Sequence, residues 1–182
     1  MEVCPLPDIC IELPGAQFRR AYLLYVIEIC HKQDKYFYVG QTGDNNYPTA
    51  RPAFRRLSGH LEDIGKSTQN QVYRHIATEI LGYKEAEASR KETFSEKVKQ
   101  AVEDFLVDST VRMHIYRVRS FKPGVTKADH LPVVKAVSLL EKYVINAFRD
   151  SSRPLMNKKI SKPAEACPYP ELFARIKSDF GL

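Results

Sequence analysis

Residues 21–29 read Ala-Tyr-Leu-Leu-Tyr-Val-Ile-Glu-Ile, a β-branched and aromatic run with one charge. A strand with one wet face would alternate, so this run predicts a strand buried on both faces. Residues 31–35 form a polar break of hairpin length, and 36–39 (Tyr-Phe-Tyr-Val) read as a second strand stopped by Gly40. The stretch 41–52 is polar and holds Gly43, Asp44, Asn45, Asn46 and Pro48, all turn formers. Pro52 opens a helix over 53–61, with Phe54, Leu57 and Leu61 on one side.

Spacing then predicts a mostly helical insertion over 63–108. Val72, Ile76, Ile80 and Leu81 make one stripe, and Val98, Ala101, Val102, Phe105 and Leu106 make another. Residues 111–118 alternate apolar and basic, as in a half-exposed strand. A long helix is predicted over about 132–149 and a short amphipathic one over about 170–180. Pro5, Pro7 and Pro14 argue against a helix at the start, leaving an arm over 1–19. The expected fold is one α+β domain over 1–182. Its small sheet of about three strands, antiparallel or mixed, is flanked by helices, and 163–182 form a helical tail.

The chain of 182 residues can bury about two-thirds of its unfolded surface, so it needs no metal or disulfide to fold. No window approaches about 18 consecutive apolar residues, which excludes a membrane-spanning helix. The first residues lack the basic start and apolar core of a secretory signal. Cys4, Cys10, Cys30 and Cys167 form no CxxC pair and read as reduced thiols of a cytoplasmic protein. A zinc site from Cys30 and His31 is disfavoured, because neighbours on a strand point to opposite faces. The net charge of +6 favours an anionic partner.

Glu141 is the most informative single residue. Val137, Leu140, Val144, Ile145 and Phe148 form the apolar face of its helix, and Glu141 lies on or at the margin of that face. A carboxylate there is costly unless it is paired or binds a metal. It reads either as a partner for a nearby arginine or as a metal ligand. Arg56 and His60 are four apart and share a helical face. Taken alone they are an ordinary surface pair, and Tyr25 and Tyr38 are ordinary core residues of two strands.

Taken together and in order, these residues resemble the GIY-YIG endonuclease family. Leu23-Leu24-Tyr25 stands where the first signature falls, and Tyr38-Val39-Gly40, continued by Gln41-Thr42, matches the second. Arg56 to His60 fits the Arg-x-x-x-His of the first helix, Glu141 looks like the single metal-binding glutamate, and Pro154-Leu155-Met156-Asn157 resembles the closing Pro-x-x-Asn. The resemblance spans residues 21–160. It implies a divalent-metal-dependent DNA endonuclease, of restriction type given the lack of room for a separate DNA-binding domain. Repair and mobile-element nucleases, and a catalytically silent nucleic-acid-binding protein on the same fold, are the alternatives.

Phosphodiester cleavage needs a positioned water, a base, charge stabilisation and help for the leaving oxygen. The resemblance implies that Glu141 holds Mg²⁺, or another divalent cation such as Mn²⁺, with waters completing its shell. Arg56 suits a phosphate oxygen. Tyr25 and His60 compete for the role of general base, Tyr38 assists, and Asn157 anchors the region by hydrogen bonds. Nucleic-acid contacts are expected from Gly40, Gln41 and Thr42 of the second motif, and from Arg55, Arg74, Arg117, Arg119 and Lys158. Strand alternation puts Arg117 and Arg119 on one face. Base reading is expected from the insertion, through Gln69, Asn70, Gln71 or Arg74. One site per chain favours a homodimer on a two-fold DNA target, with no membrane role and a cytoplasmic, nucleoid-associated location.

Overall fold

Three antiparallel strands, β1 (Ala21–His31), β2 (Asp34–Gln41) and β3 (Ser109–Ser120), make one sheet in the order β2-β1-β3. The computed structural model describes residues 12–62, 70–84, 94–158 and 160–182. The apolar run 21–29 becomes the central strand, and Leu24 to Ile27 and Ile29 are inaccessible to solvent. A strand covered on both faces needs a helical layer on each side.

On one side, Tyr25, Ile27 and Ile29 of β1 meet α2 (Gln71–His75), a π-helical stretch (Ile76–Ile80) and α3 (Glu96–Val107). Val72, Ile76, Phe94, Val98 and Phe105 form that core. The described parts of the expected insertion are therefore a core layer and not an appendage; 63–69 and 85–93 lie outside the described residues. On the other side, Leu24, Val26, Phe37 and Val39 pack against α4 (Lys127–Asp150) and α5 (Pro170–Phe180). The first helix, α1 (Ala53–Leu61), starts after Pro52 as its sequence predicts, and α5 also keeps its predicted bounds.

Helix α4 starts five residues before the expected position. The Thr126 hydroxyl accepts the Asp129 N–H at 3.2 Å and caps it. Pro132 lies inside the helix, where its missing N–H forfeits only the bond to the Ala128 carbonyl. Of the expected arm, 1–11 lie outside the described residues, and Gly15–Phe18 form a 3₁₀ turn.

Residues 154–157 close the outer edge of β2. The Phe37 N–H donates to the Pro154 carbonyl at 2.9 Å, and the Met156 N–H donates to the Phe37 carbonyl at 2.8 Å. At the far end of the sheet, buried Glu28 accepts from His114 (3.0 Å), Lys35 (3.2 Å) and the Cys30 thiol (3.4 Å). His31 turns the other way, with its ring stacked 4.2 Å from that of Phe105. The two neighbours thus have separate partners, as strand alternation requires. No described helix is long and apolar enough to cross a membrane.

Candidate active site

The site grows out of one cross-strand pair. Tyr25 of β1 stands opposite Gly40 of β2, and a Cβ on residue 40 would overlap the Tyr25 phenol. The missing side chain lets the phenol lie across β2 toward α1. There Arg56 and His60, one helical turn apart, both meet its hydroxyl. Arg56 donates to the Tyr25 oxygen through Nε at 3.0 Å and Nη2 at 2.8 Å. His60 Nε2 lies 2.7 Å from the same oxygen.

Counting lone pairs assigns the protons. The two Arg56 donors fill both acceptor positions of the phenol, so the Tyr25 hydroxyl donates to His60 Nε2. The His60 ring proton then sits on Nδ1, which has no hydrogen-bond partner among the described residues. Tyr25 and His60 are both inaccessible to solvent. Burial, followed by repulsion from Arg56 and His75, pushes His60 down to about 3, so the ring is neutral and accepts. Burial pushes the Tyr25 phenol up to about 12, although the charge and hydrogen bonds of Arg56 pull it back. Arg56 offsets part of the desolvation cost of a phenolate.

Tyr38 lies beside this group, its ring centroid 4.8 Å from that of His60 and 6.3 Å from that of His75. Burial and the nearby Tyr25 and Glu141 push its phenol well up, so it stays protonated. Glu141 comes from α4 and meets Tyr38 at the β2 edge, where both line a cavity of about 290 Å³ with His75, Asn157 and Lys158. Burial raises the Glu141 carboxyl to about 7, against the pull of Arg56 and Lys142. Its oxygens have no hydrogen bond or ion pair among the described residues. Among those residues no three His, Cys, Asp or Glu side chains gather to enclose a metal. One hard oxygen donor facing an open cavity nevertheless fits Mg²⁺, which keeps most of its waters.

Asn157 is fixed by its bonds. Its Oδ1 accepts the Val39 N–H at 2.7 Å and its Nδ2 donates to the Val39 carbonyl at 2.8 Å. The side chain extends the strand-like pairing of 154–157 and positions β2 beside Tyr38.

Several residues expected to contact nucleic acid have partners of their own in the fold. Gly40 serves the Tyr25 phenol. Thr42 is 3% exposed, and its hydroxyl accepts the Leu23 N–H at 3.0 Å and donates to the Ala21 carbonyl at 2.6 Å, sewing the loop to β1. Gln41 braces Gly43 through both ends of its amide. Arg74 is 8% exposed and Asn70 is buried, because α2 packs into the core layer, whereas Gln71 lines the cavity with Tyr38 and Glu141. Arg74 and Asn70 cannot read bases as exposed residues, and Gln69 lies outside the described residues. Arg117 and Arg119 stand on opposite faces of β3. The register shifts between Tyr22 and Leu23, so Arg117 pairs with Leu23 and Arg119 with Tyr22. Arg55 and Lys158 are exposed, and Arg55 points away from the group that holds Arg56.

The sequence gives Arg51 only a place among scattered basic residues. In the structure it is close enough to be repelled by Arg56 and to favour charge on Tyr25. Its loop is pinned by fully buried His130, whose Nε2 donates to the Asp44 carbonyl at 2.7 Å while Nδ1 accepts the Tyr22 hydroxyl at 2.7 Å. Clustering of Arg51, Arg55 and Arg56 was the available signal. Compared with known protein families, curated proteins and solved structures, the chain matches none of them.

Proposed function

We propose that this chain is a divalent-metal-dependent DNA endonuclease of GIY-YIG type that hydrolyses phosphodiester bonds. The observation that carries the reading is the single hydroxyl of Tyr25 held between a guanidinium and a neutral imidazole. A core tyrosine needs one partner; this one has a cation to favour its phenolate and a neutral imidazole that accepts its hydrogen bond. Bound at Glu141, a divalent ion supplies Lewis-acid stabilisation of the leaving oxygen. Arg56 then shares its charge between the Tyr25 oxygen and a phosphate oxygen. Tyr25 orients the attacking water, with its own proton held in the hydrogen bond to His60 Nε2. Tyr38 donates to the phosphate, and Asn157 keeps β2 in place. Action as a restriction-type homodimer belongs to the same proposal.

One observation favours a second reading, a silent nucleic-acid-binding protein: Tyr25 and His60 are inaccessible to solvent in the free chain. Nicking of supercoiled plasmid by wild type with Mg²⁺ or Mn²⁺ and not with EDTA, lost in Glu141→Ala while DNA binding persists, supports the nuclease. Metal-dependent cutting by Glu141→Ala overturns the site. Binding of DNA by wild type without cutting under any divalent ion supports the silent binder.

A further inference from the structure

We propose that a basic pocket on the β3 side of the sheet holds a backbone phosphate of the substrate strand, away from the bond that is cut; this rests on the nuclease reading. The pocket, about 380 Å³, lies between the 3₁₀ turn, the start of β1, the start of α1, β3 and α5. Arg19, Arg117 and Arg175 line it, with the Gln17 amide beside them. These residues come from three separate parts of the chain, so no local charge run announces the pocket.

Three arginines around one space offer an anion several donors at once. Arg19 and Arg117 have no acidic partner among the described residues. Arg175 is steadied by Asp179, its Nε 3.8 Å from Oδ2, and lies 5.9 Å from the centre of the Tyr116 ring. Asp179 also accepts the Tyr116 hydroxyl at 2.9 Å, which fixes the direction of the pair. Planar forks suit the tetrahedral oxygens of a phosphate.

Position identifies the source of that phosphate. Arg117 pairs with Leu23, which lines the pocket and shares a face of β1 with Tyr25 two residues on. The Tyr25 phenol leans across β2 while the pocket opens on the β3 side, so a DNA strand with its scissile phosphate at Arg56 reaches the three arginines where it crosses the sheet toward β3.

The test measures duplex binding by fluorescence anisotropy in EDTA over roughly 50–200 mM KCl. Arg117→Gln/Arg175→Gln should lower the slope of log K against log salt by about 0.9, the value of one phosphate contact. Arg117→Lys/Arg175→Lys should keep the slope by keeping the charge, and so should Lys32→Gln in the distant hairpin. Melting curves confirm that each variant is folded. A slope in the glutamine variant equal to that of wild type overturns the proposal, and plasmid nicking by wild type in that case leaves the nuclease reading intact. A reduced slope without nicking under any divalent ion supports the pocket and overturns the nuclease reading alone. Saturable binding of inorganic phosphate, lost in the glutamine variant with the DNA slope unchanged, overturns the strand subsite in favour of a free anion.

Discussion

Glutamine at position 141 keeps the shape of glutamate and removes its charge. Burial holds the Glu141 carboxyl at about 7 in the folded chain, against its ordinary value of 4.5 in the unfolded one. Below about pH 4.5 the acid is protonated in both states and costs nothing. Between about 4.5 and 7 the unfolded chain ionises first, so stability falls as pH rises, and above 7 the loss is complete. At about 1.4 kcal/mol per unit, the loss reaches roughly 3 kcal/mol. Glu141→Gln escapes it. Without divalent metal, the variant should match wild type near pH 4.5 and exceed it by about 3 kcal/mol near pH 8, or about 6–12 °C in melting temperature. Urea denaturation at the two pH values reads the difference, and plasmid nicking reads the loss of cutting in the stabilised protein. A variant no more stable than wild type at the higher pH would refute the argument that an ionised carboxylate is held there at a cost.

Arg56→Ala should slow single-turnover cleavage by about 10²–10³-fold or more, whereas Arg55→Ala should mainly weaken DNA binding; the opposite ranking would show that the wrong arginine faces the phosphate. Asn157→Ala loses both bonds to Val39 and should lower stability in urea by about 1–3 kcal/mol. An unchanged midpoint would mean that the backbone pairs alone hold the edge. Burial raises the Glu28 carboxyl, but hydrogen bonds from His114, Lys35 and Cys30 outweigh it and hold it below its ordinary value. Stability should therefore fall as pH drops below about 4.5 through that lowered value, and Glu28→Gln should flatten the decline. Parallel acid-denaturation curves for the two proteins would count against the cluster.

The strands were legible because local pattern decided them: the unbroken run of β1 could only be central, and Pro52 marks a helix start that needs no tertiary help. The inward turn of Arg56 and the outward turn of Arg55 also follow from four-residue spacing with His60. What escaped depends on partners far along the chain. Arg74 looks like a groove reader by charge, yet α2 packs against residues from three other segments. Arg117 and Arg119 obey alternation on paper, and a one-residue register shift that only pairing with β1 can create sends them to different faces. Pro132 looks like a helix start until the Thr126 cap is found. The Tyr25 triad was legible as a set of residues, but not its proton order, which depends on how many donors reach one oxygen.

The Val39–Asn157 clamp also bears on how the protein is made. Tyr25, Tyr38, Arg56 and His60 leave the ribosome early, while Glu141, and the asparagine that anchors the strand beside Tyr38, follow on the order of 100 residues later. At roughly 5–20 residues per second, the interval is roughly 5–20 seconds. For most of it β1 lacks β3, and for nearly all of it the α4 layer, so the phenol and its two partners have no carboxylate beside them. Long-range pairings of this kind form late and slowly. On the nuclease reading, a nascent chain built this way carries no complete site until almost the entire domain has been synthesised.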